Sequence, residues 1–241
     1  EATEMVAYGE FRGPMKIGGE IVGDDRIVVC GLEYIIKNYI NRTWCQTDLE
    51  KAVEFFNHHA PGPSKYDFPV KEFKEIINPK GKYNGKIPLT VEGLPDGTVV
   101  LPHTPVYKIT AKQGEDGINF SKLITFFETI LTMVWYPSCV ATLSRHCKQI
   151  LENAYMATEL SNGTYDNGIL VNGNKNYIES LPLGIDGTIQ ISMHDFGFRG
   201  ATSVEQSVLG GMAHLLNFSG TDTMTAAYVA QQENEEGKPV G

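Results

Sequence analysis

The chain has 241 residues, 41% hydrophobic and 20% charged, which is enough apolar material for a sizeable core and too little charge for global disorder. Its 20 basic and 29 acidic residues leave a net charge of −9, which disfavours nucleic acid and anionic membrane surfaces as partners because like charges repel. A phosphorylated small molecule needs only a local cluster of donors and stays open.

No apolar run in the sequence approaches the roughly 18–20 residues of a membrane span. The four cysteines, Cys30, Cys45, Cys139 and Cys147, show no CxxC spacing, and with no secretory signal they are expected to be reduced thiols in a cytoplasmic protein. The sequons at Asn41, Asn119, Asn162 and Asn217 would need a secretory route, and none is indicated.

From the amino terminus, Met5 to Phe11 alternate loosely as a strand, and a Gly/Pro-rich turn region follows from Gly13 to Gly19. Arg26 to Cys30, dense in β-branched residues, reads as a second strand. Gly31 then opens a stretch, Leu32 to Ile40, whose apolar positions recur at helical spacing. Thr47, with Glu50 three residues on, predicts a capping-box helix start, the helix running to about His58 before Pro61-Gly62-Pro63. A third helix is expected over Pro69 to Ile77. Between 86 and 110, Ile87–Glu92, Thr98–Pro102 and Val106–Thr110 predict a small antiparallel unit split by Pro-rich turns. Leu123–Val134 and Val140–Leu160 read as long helices on either side of Pro137, and 161–187, with its Asn/Gly clusters, as a loop or surface insertion.

The last quarter has another rhythm. Gly187 to Met193 alternates as a strand and ends in His194-Asp195-Phe196-Gly197-Phe198-Arg199-Gly200. Thr202 or Ser203 caps a following helix, Leu215–Phe218 reads as a short strand leading to Ser219-Gly220-Thr221-Asp222-Thr223, and a helix follows to Gln232. Strand, polar loop, helix, twice over, is the signature of a parallel sheet or barrel, so the fold class is α/β. In such folds the loops after the strands carry the chemistry.

The 194–200 loop puts a His, a carboxylate, two aromatics and an arginine together. Such a set suits a flat heteroaromatic ring beside a phosphate, through stacking and bidentate hydrogen bonding. The plain alternative is a polar cap in which Asp195 pairs with Arg199 and Phe196 belongs to the core. Asp222, at the next strand end, offers a carboxylate to an amide or ring N–H; the plain alternative is a helix N-cap serving Met224 and Thr225. Arg12, after the first strand, could reach a phosphate. His58-His59 lacks a third metal ligand at suitable spacing. Ser144-Arg145-His146-Cys147 lacks a partner arrangement for a nucleophile, with Cys147 a packed thiol, and Trp135-Tyr136-Pro137 reads as a packed helix end.

One set of blocks is shared with a known family. They are Val29-Cys30-Gly31-Leu32-Glu33-Tyr34-Ile35-Ile36-Lys37-Asn38-Tyr39; Glu128-Thr129-Ile130-Leu131 with Trp135-Tyr136-Pro137, Val140-Ala141-Thr142 and Ser144-Arg145; the 194–200 loop; and Ala213-His214-Leu215-Leu216-Asn217-Phe218-Ser219-Gly220-Thr221-Asp222-Thr223. Through them the chain resembles the nicotinamide phosphoribosyltransferases, type II phosphoribosyltransferases. The resemblance implies a mixed α/β domain over 1–186, with its insertion at 161–187, then the first units of an irregular β/α barrel over 187–241. It implies conversion of nicotinamide and phosphoribosyl pyrophosphate to nicotinamide mononucleotide and pyrophosphate in NAD biosynthesis. Magnesium is the implied cofactor and ATP the implied activator of the full enzyme. The implied assembly is a homodimer with a shared active site, without nucleic-acid or membrane partners.

Residue by residue, the resemblance implies that Phe196 stacks on the pyridine ring, Arg199 lies against ring and ribose phosphate, and Asp222 accepts from the carboxamide nitrogen. Arg12 falls where the family places a phosphate-contacting arginine across the subunit interface. The family's Asp-Ser-Tyr segment has no counterpart before Glu1, and its catalytic His and Asp/Arg residues lie beyond the point matching Gly241. The catalytic residues are therefore unassigned, and the chain is expected to be the amino-terminal half of such an enzyme. A nicotinate-using relative is one alternative, against which Asp222 argues, because a carboxylate accepts an amide N–H and repels a carboxylate. A truncated, non-catalytic base-binding or assembly subunit is the other.

Overall fold

The computed structural model describes residues 4–59, 68–112, 114, 117–161, 164–166, 169–172 and 184–233. In chain order the first elements are β1 (Val6–Glu10), β2 (Lys16–Ile17), β3 (Glu20–Ile21), β4 (Ile27–Val28), α1 (Leu32–Ile35, continued by a π turn over Ile36–Ile40), α2 (Gln46–His59) and α3 (Val70–Ile76). Then come β5 (Leu89–Gly93), β6 (Val99–Val100), β7 (Pro105–Ala111), a 3-10 turn (Phe120–Leu123) and α4 (Ile124–Leu131). The last are α5 (Trp135–Ser161), β8 (Thr164–Asp166), β9 (Ile169–Asn172), α6 (Gly184–Gln190), a 3-10 turn (Gly197–Gly200), α7 (Val204–Leu215) and α8 (Met224–Glu233). The fold class is α/β, as the sequence implies. The chain forms two units that interleave along the sequence, one from Glu1–Phe11, Leu32–Pro95 and His103–Val134, the other from Arg12–Gly31, Asp96–Pro102 and Trp135–Gly241.

The first unit is built on an antiparallel sheet in the order β1-β7-β5. β7 is its central strand, with Ala7 and Val91 both opposite Ile109, and Pro105 stands at the strand's first residue, where a missing N–H is tolerated. Val106, Tyr107 and Ile109 are buried, and so are Phe120, Leu123, Ile124, Phe127 and Leu131. The last five stand at i, i+3, i+4, i+7 and i+11, one stripe of a helical surface turned inward. The antiparallel unit expected over 86–110 is present, with β5 and β7 in this sheet and β6 paired elsewhere.

The second unit is organised around α5. β4 pairs with β6, Ile27 opposite Val100 and Val28 opposite Val99, and side chains of α5 meet its backbone as well. The Val28 N–H donates to Thr142 Oγ1 at 2.9 Å, and the Cys30 N–H to Ser138 Oγ at 3.0 Å. Both hydroxyl residues are buried, so a helix face supplies hydrogen-bond acceptors that a further strand would otherwise supply. Val28, Cys30, Ala141 and Ala213 form the apolar cluster around this seam.

Several expectations need correction. The strand expected over Gly187–Met193 is helical in its first part, where α6 runs to Gln190, and Leu215–Phe218 is the end of α7 followed by a turn. Local alternation is satisfied by a strand only where a partner backbone is present. Here the described residues offer one parallel bridge, Asp195 to Thr221, and the preceding segment closes its hydrogen bonds internally. The capping box at Thr47 is displaced: α2 starts at Gln46, and Asp48 takes the Cys45 N–H at 3.0 Å.

Helix α5 begins at Trp135 and not Val140, because Pro137 lies in the first turn, where its missing N–H costs nothing. The chain from Phe120 to Ala157 is one continuous helical stretch containing an 18-residue window of mean hydropathy 1.4, so one helix is long and apolar enough to cross a membrane, contrary to the reading of the sequence. Phe120, Leu123, Ile124, Phe127, Leu131 and Val134 along it are buried, as are its polar Ser138, Thr142 and His146, so one face of the stretch packs inside the protein. Within 161–187, β8 and β9 form an antiparallel pair; the rest of that segment to residue 183, Pro61-Gly62-Pro63 and the residues after Glu233 lie outside the described residues.

Candidate functional site

The parallel bridge brings the two motif loops side by side. The Asp195 N–H donates to the Gly220 carbonyl at 3.2 Å, and the Asp222 N–H to the Asp195 carbonyl at 3.0 Å. Main chain therefore holds His194, Phe196 and Arg199 beside Asp222. The neighbouring turn is fixed the same way, since the Ser219 N–H donates to the Gln190 carbonyl at 2.9 Å.

The side chains follow. Phe196 is 54% exposed, and the Arg199 guanidinium carbon lies 5.8 Å from its ring centre, within reach of a cation–π contact. Asp222 is half-exposed and its Oδ2 lies 3.2 Å from His194 Nδ1. The structure therefore brings three of the four expected binding residues, Phe196, Arg199 and Asp222, to one exposed place. Arg12 is exposed in the turn after β1 and is not among the described residues that meet there.

Neither plain alternative holds. Asp195 takes the Gly197 N–H on Oδ1 at 2.7 Å, and its Oδ2 is buried with no hydrogen-bond partner among the described residues. The carboxylate turns inward while Phe196 turns out. At the second loop, Thr221 Oγ1 accepts the Thr223 N–H at 3.1 Å, and the Asp222 carboxylate faces His194.

The support beneath the loops comes from α7. Ser203 caps it, Oγ accepting the Gln206 N–H at 3.0 Å. Two glycines in mid-helix cost about 1 kcal/mol each against alanine, and Gly211 shows the return: a Cβ there would lie 2.3 Å from the Ala226 Cβ and 2.9 Å from Asp195 Oδ2. The glycine lets α8 and the Asp195 turn sit directly against α7.

His214, buried on α7, stacks on Phe218 at 5.1 Å and reaches the Gly220 carbonyl through Nε2 at 3.0 Å. The carbonyl only accepts, so Nε2 carries the proton and Nδ1 faces Ser144 Oγ at 3.3 Å. Burial pushes the His214 pKa down, partly offset by its bond to Gly220, so the ring is neutral near pH 7. The Ser144–His214 pair is thus a buried tie between α5 and the Gly220 turn, without an exposed nucleophile.

Other expectations resolve simply. His58 and His59 each place Nδ1 on the carbonyl four residues back, at 2.8 and 2.9 Å. Trp135 is 59% exposed and does not pack as expected. All four cysteines are free. Among the described residues no group of three or more His, Cys, Asp and Glu side chains could hold a metal ion. His194, His214 and Gly220 stand in the motif stretches of the sequence, but what they support did not show there; the signal for Gly211 was the Gly210-Gly211 pair inside a helix pattern.

No protein-family model matches the chain. The proteins it is similar to are phosphoribosyltransferases. Three that it resembles in sequence are nicotinamide phosphoribosyltransferases: that of Xanthomonas campestris pv. campestris (strain 8004) is 29% identical over 207 residues, covering 86% of this chain and 37% of that protein. The one from Acinetobacter baylyi is 26% identical over 214 residues, covering 87% and 36%, and that of Mycoplasma genitalium is 27% identical over 182 residues, covering 73% and 32%. Among solved structures, human nicotinic acid phosphoribosyltransferase matches with a TM-score of 0.45 at 13% identity, over 94% of this chain and 32% of that one. The chain thus spans about a third of the length of these relatives, less than the half expected.

Proposed function

We propose that the chain is the base-binding part of a nicotinamide phosphoribosyltransferase, joining nicotinamide to phosphoribosyl pyrophosphate in NAD biosynthesis. The observation that carries this reading is the main-chain bridge that sets an exposed phenyl ring and its neighbouring guanidinium beside an exposed carboxylate. The phenyl face takes a pyridine ring by stacking. Asp222 accepts from the carboxamide N–H, which turns the ring nitrogen away from the carboxylate and toward the ribose. Arg199 places its positive charge at the rim of the stacked ring, where a ribose phosphate would lie. Arg12 contacts a phosphate from the neighbouring subunit of a homodimer.

The reaction forms a bond between the ring nitrogen and the anomeric carbon while the bond from that carbon to the pyrophosphate oxygen breaks, the oxygen leaving with the electron pair. What these side chains supply is orientation, which makes the encounter effectively intramolecular. Dependence on magnesium, activation by ATP and a cytoplasmic location belong to the same reading of the whole protein.

Asp222→Asn in the full natural protein is the direct test. An amide presents a donor as readily as an acceptor, so nicotinamide KM is expected to rise about tenfold and the preference over nicotinate to fall at least as much. Unchanged kinetics and binding for both bases would sink the reading.

A further inference from the structure

His194 and Asp222 come from different loops and meet across 3.2 Å, Nδ1 to Oδ2. An ionised carboxylate only accepts, so Nδ1 carries the proton and the imidazole is the donor. The ring has a prepared seat. On one side is Gly220, where a Cβ would lie 2.7 Å from His194 Cδ2 and 2.9 Å from Nε2. The ring also lies 28° from the Phe196 plane, with centres 6.2 Å apart. His194 thus engages one carboxylate oxygen and, on the reading above, leaves Oδ1 for the substituent of the pyridine ring.

Resting on that reading, we propose that His194 is a specificity-determining positioning residue, which aims Asp222 at the carboxamide. The charged and titratable groups around it are Asp222 on the 220–223 loop, Asp195 at its own strand end, Arg199 across the Phe196 ring, and His214 on α7, whose titration feels the His194 charge. Of these, Asp222 is the group bonded to the imidazole. Held by the imidazole, the Asp222 carboxylate is presented to the amide and repels the negative charge of nicotinate.

The test uses the full natural protein and measures kcat/KM for both bases, with nicotinamide binding by calorimetry. In His194→Asn, whose amide N–H can still donate to Oδ2, the nicotinamide-to-nicotinate ratio is expected to stay near that of the wild type. His194→Phe keeps a stacked ring without the donor and is expected to raise nicotinamide KM and dissociation constant several-fold, with kcat nearly unchanged. Unaltered nicotinamide binding in His194→Phe, or a loss in His194→Asn as large as in His194→Phe, overturns the proposal. If Asp222→Asn is active on either base's KM while the His194 variants are silent, only this inference falls; if Asp222→Asn is silent too, the base-binding reading falls with it.

Discussion

Phenylalanine is among the residue types most often found inside proteins, and Phe196 stands more than half exposed beside an aspartate whose outer oxygen is buried. That inversion was half legible. The sequence placed a ring and a guanidinium together, and the structure keeps Arg199 over Phe196, but which of Asp195 and Phe196 faces inward depends on Gly211, sixteen positions away and visible only as a helix-breaking oddity. The partnership of His194 with Asp222 was not legible at all, because it spans 28 residues and is made by a backbone bridge. Phe196→Ala is expected to raise nicotinamide KM about tenfold, the worth of a good aromatic contact, whereas Phe196→Tyr should keep it. Because the ring is exposed, neither change should move the melting temperature by more than about 2 °C. Steady-state kinetics with thermal denaturation of the same samples checks both halves.

At the scale of elements, helices were legible where apolar periodicity was sustained, as in α4 and α5. Short strands were misplaced wherever partners decided the matter. Gly187–Met193 has the alternation of a strand, but its first residues close into α6, and the two-residue β4 has its edge away from β6 bonded to hydroxyls of α5 and not to a further strand. That substitution of helix side chain for strand can be tested. Thr142→Val keeps shape and volume but leaves the buried Val28 N–H without its acceptor, an expected loss of about 1–3 kcal/mol. Thr142→Ser should recover most of it. Urea denaturation of the three proteins measures the difference, and equal stability of valine and threonine at 142 would show that the hydroxyl is dispensable.

For the molecule as a whole, two buried imidazoles make stability depend on pH in the mildly acid range. Burial lowers the pKa of His146 and of His214 below the usual imidazole value of 6.5. The unfolded chain therefore binds more protons in the window below pH 6.5, and stability must fall as pH falls through it, being fully present above. A melting temperature that declines from pH 7.5 to 5.5, with a shallower slope in His146→Gln and His214→Gln, is the expected result; parallel slopes in all three would exclude these two groups as the cause. The composition allowed a phosphorylated small molecule as partner, and the motif blocks led to phosphoribosyltransferase relatives of which the chain spans about a third. Residue order carried that much because a motif is local, while the pairing of its loops is not. The stitch between Asp195, Gly220 and Asp222 uses only peptide groups, so mutation can rewrite what positions 196, 199 and 222 display without changing the spacing between them. Such a frame is evolvable: one codon could turn it toward a differently substituted ring, with the geometry inherited intact.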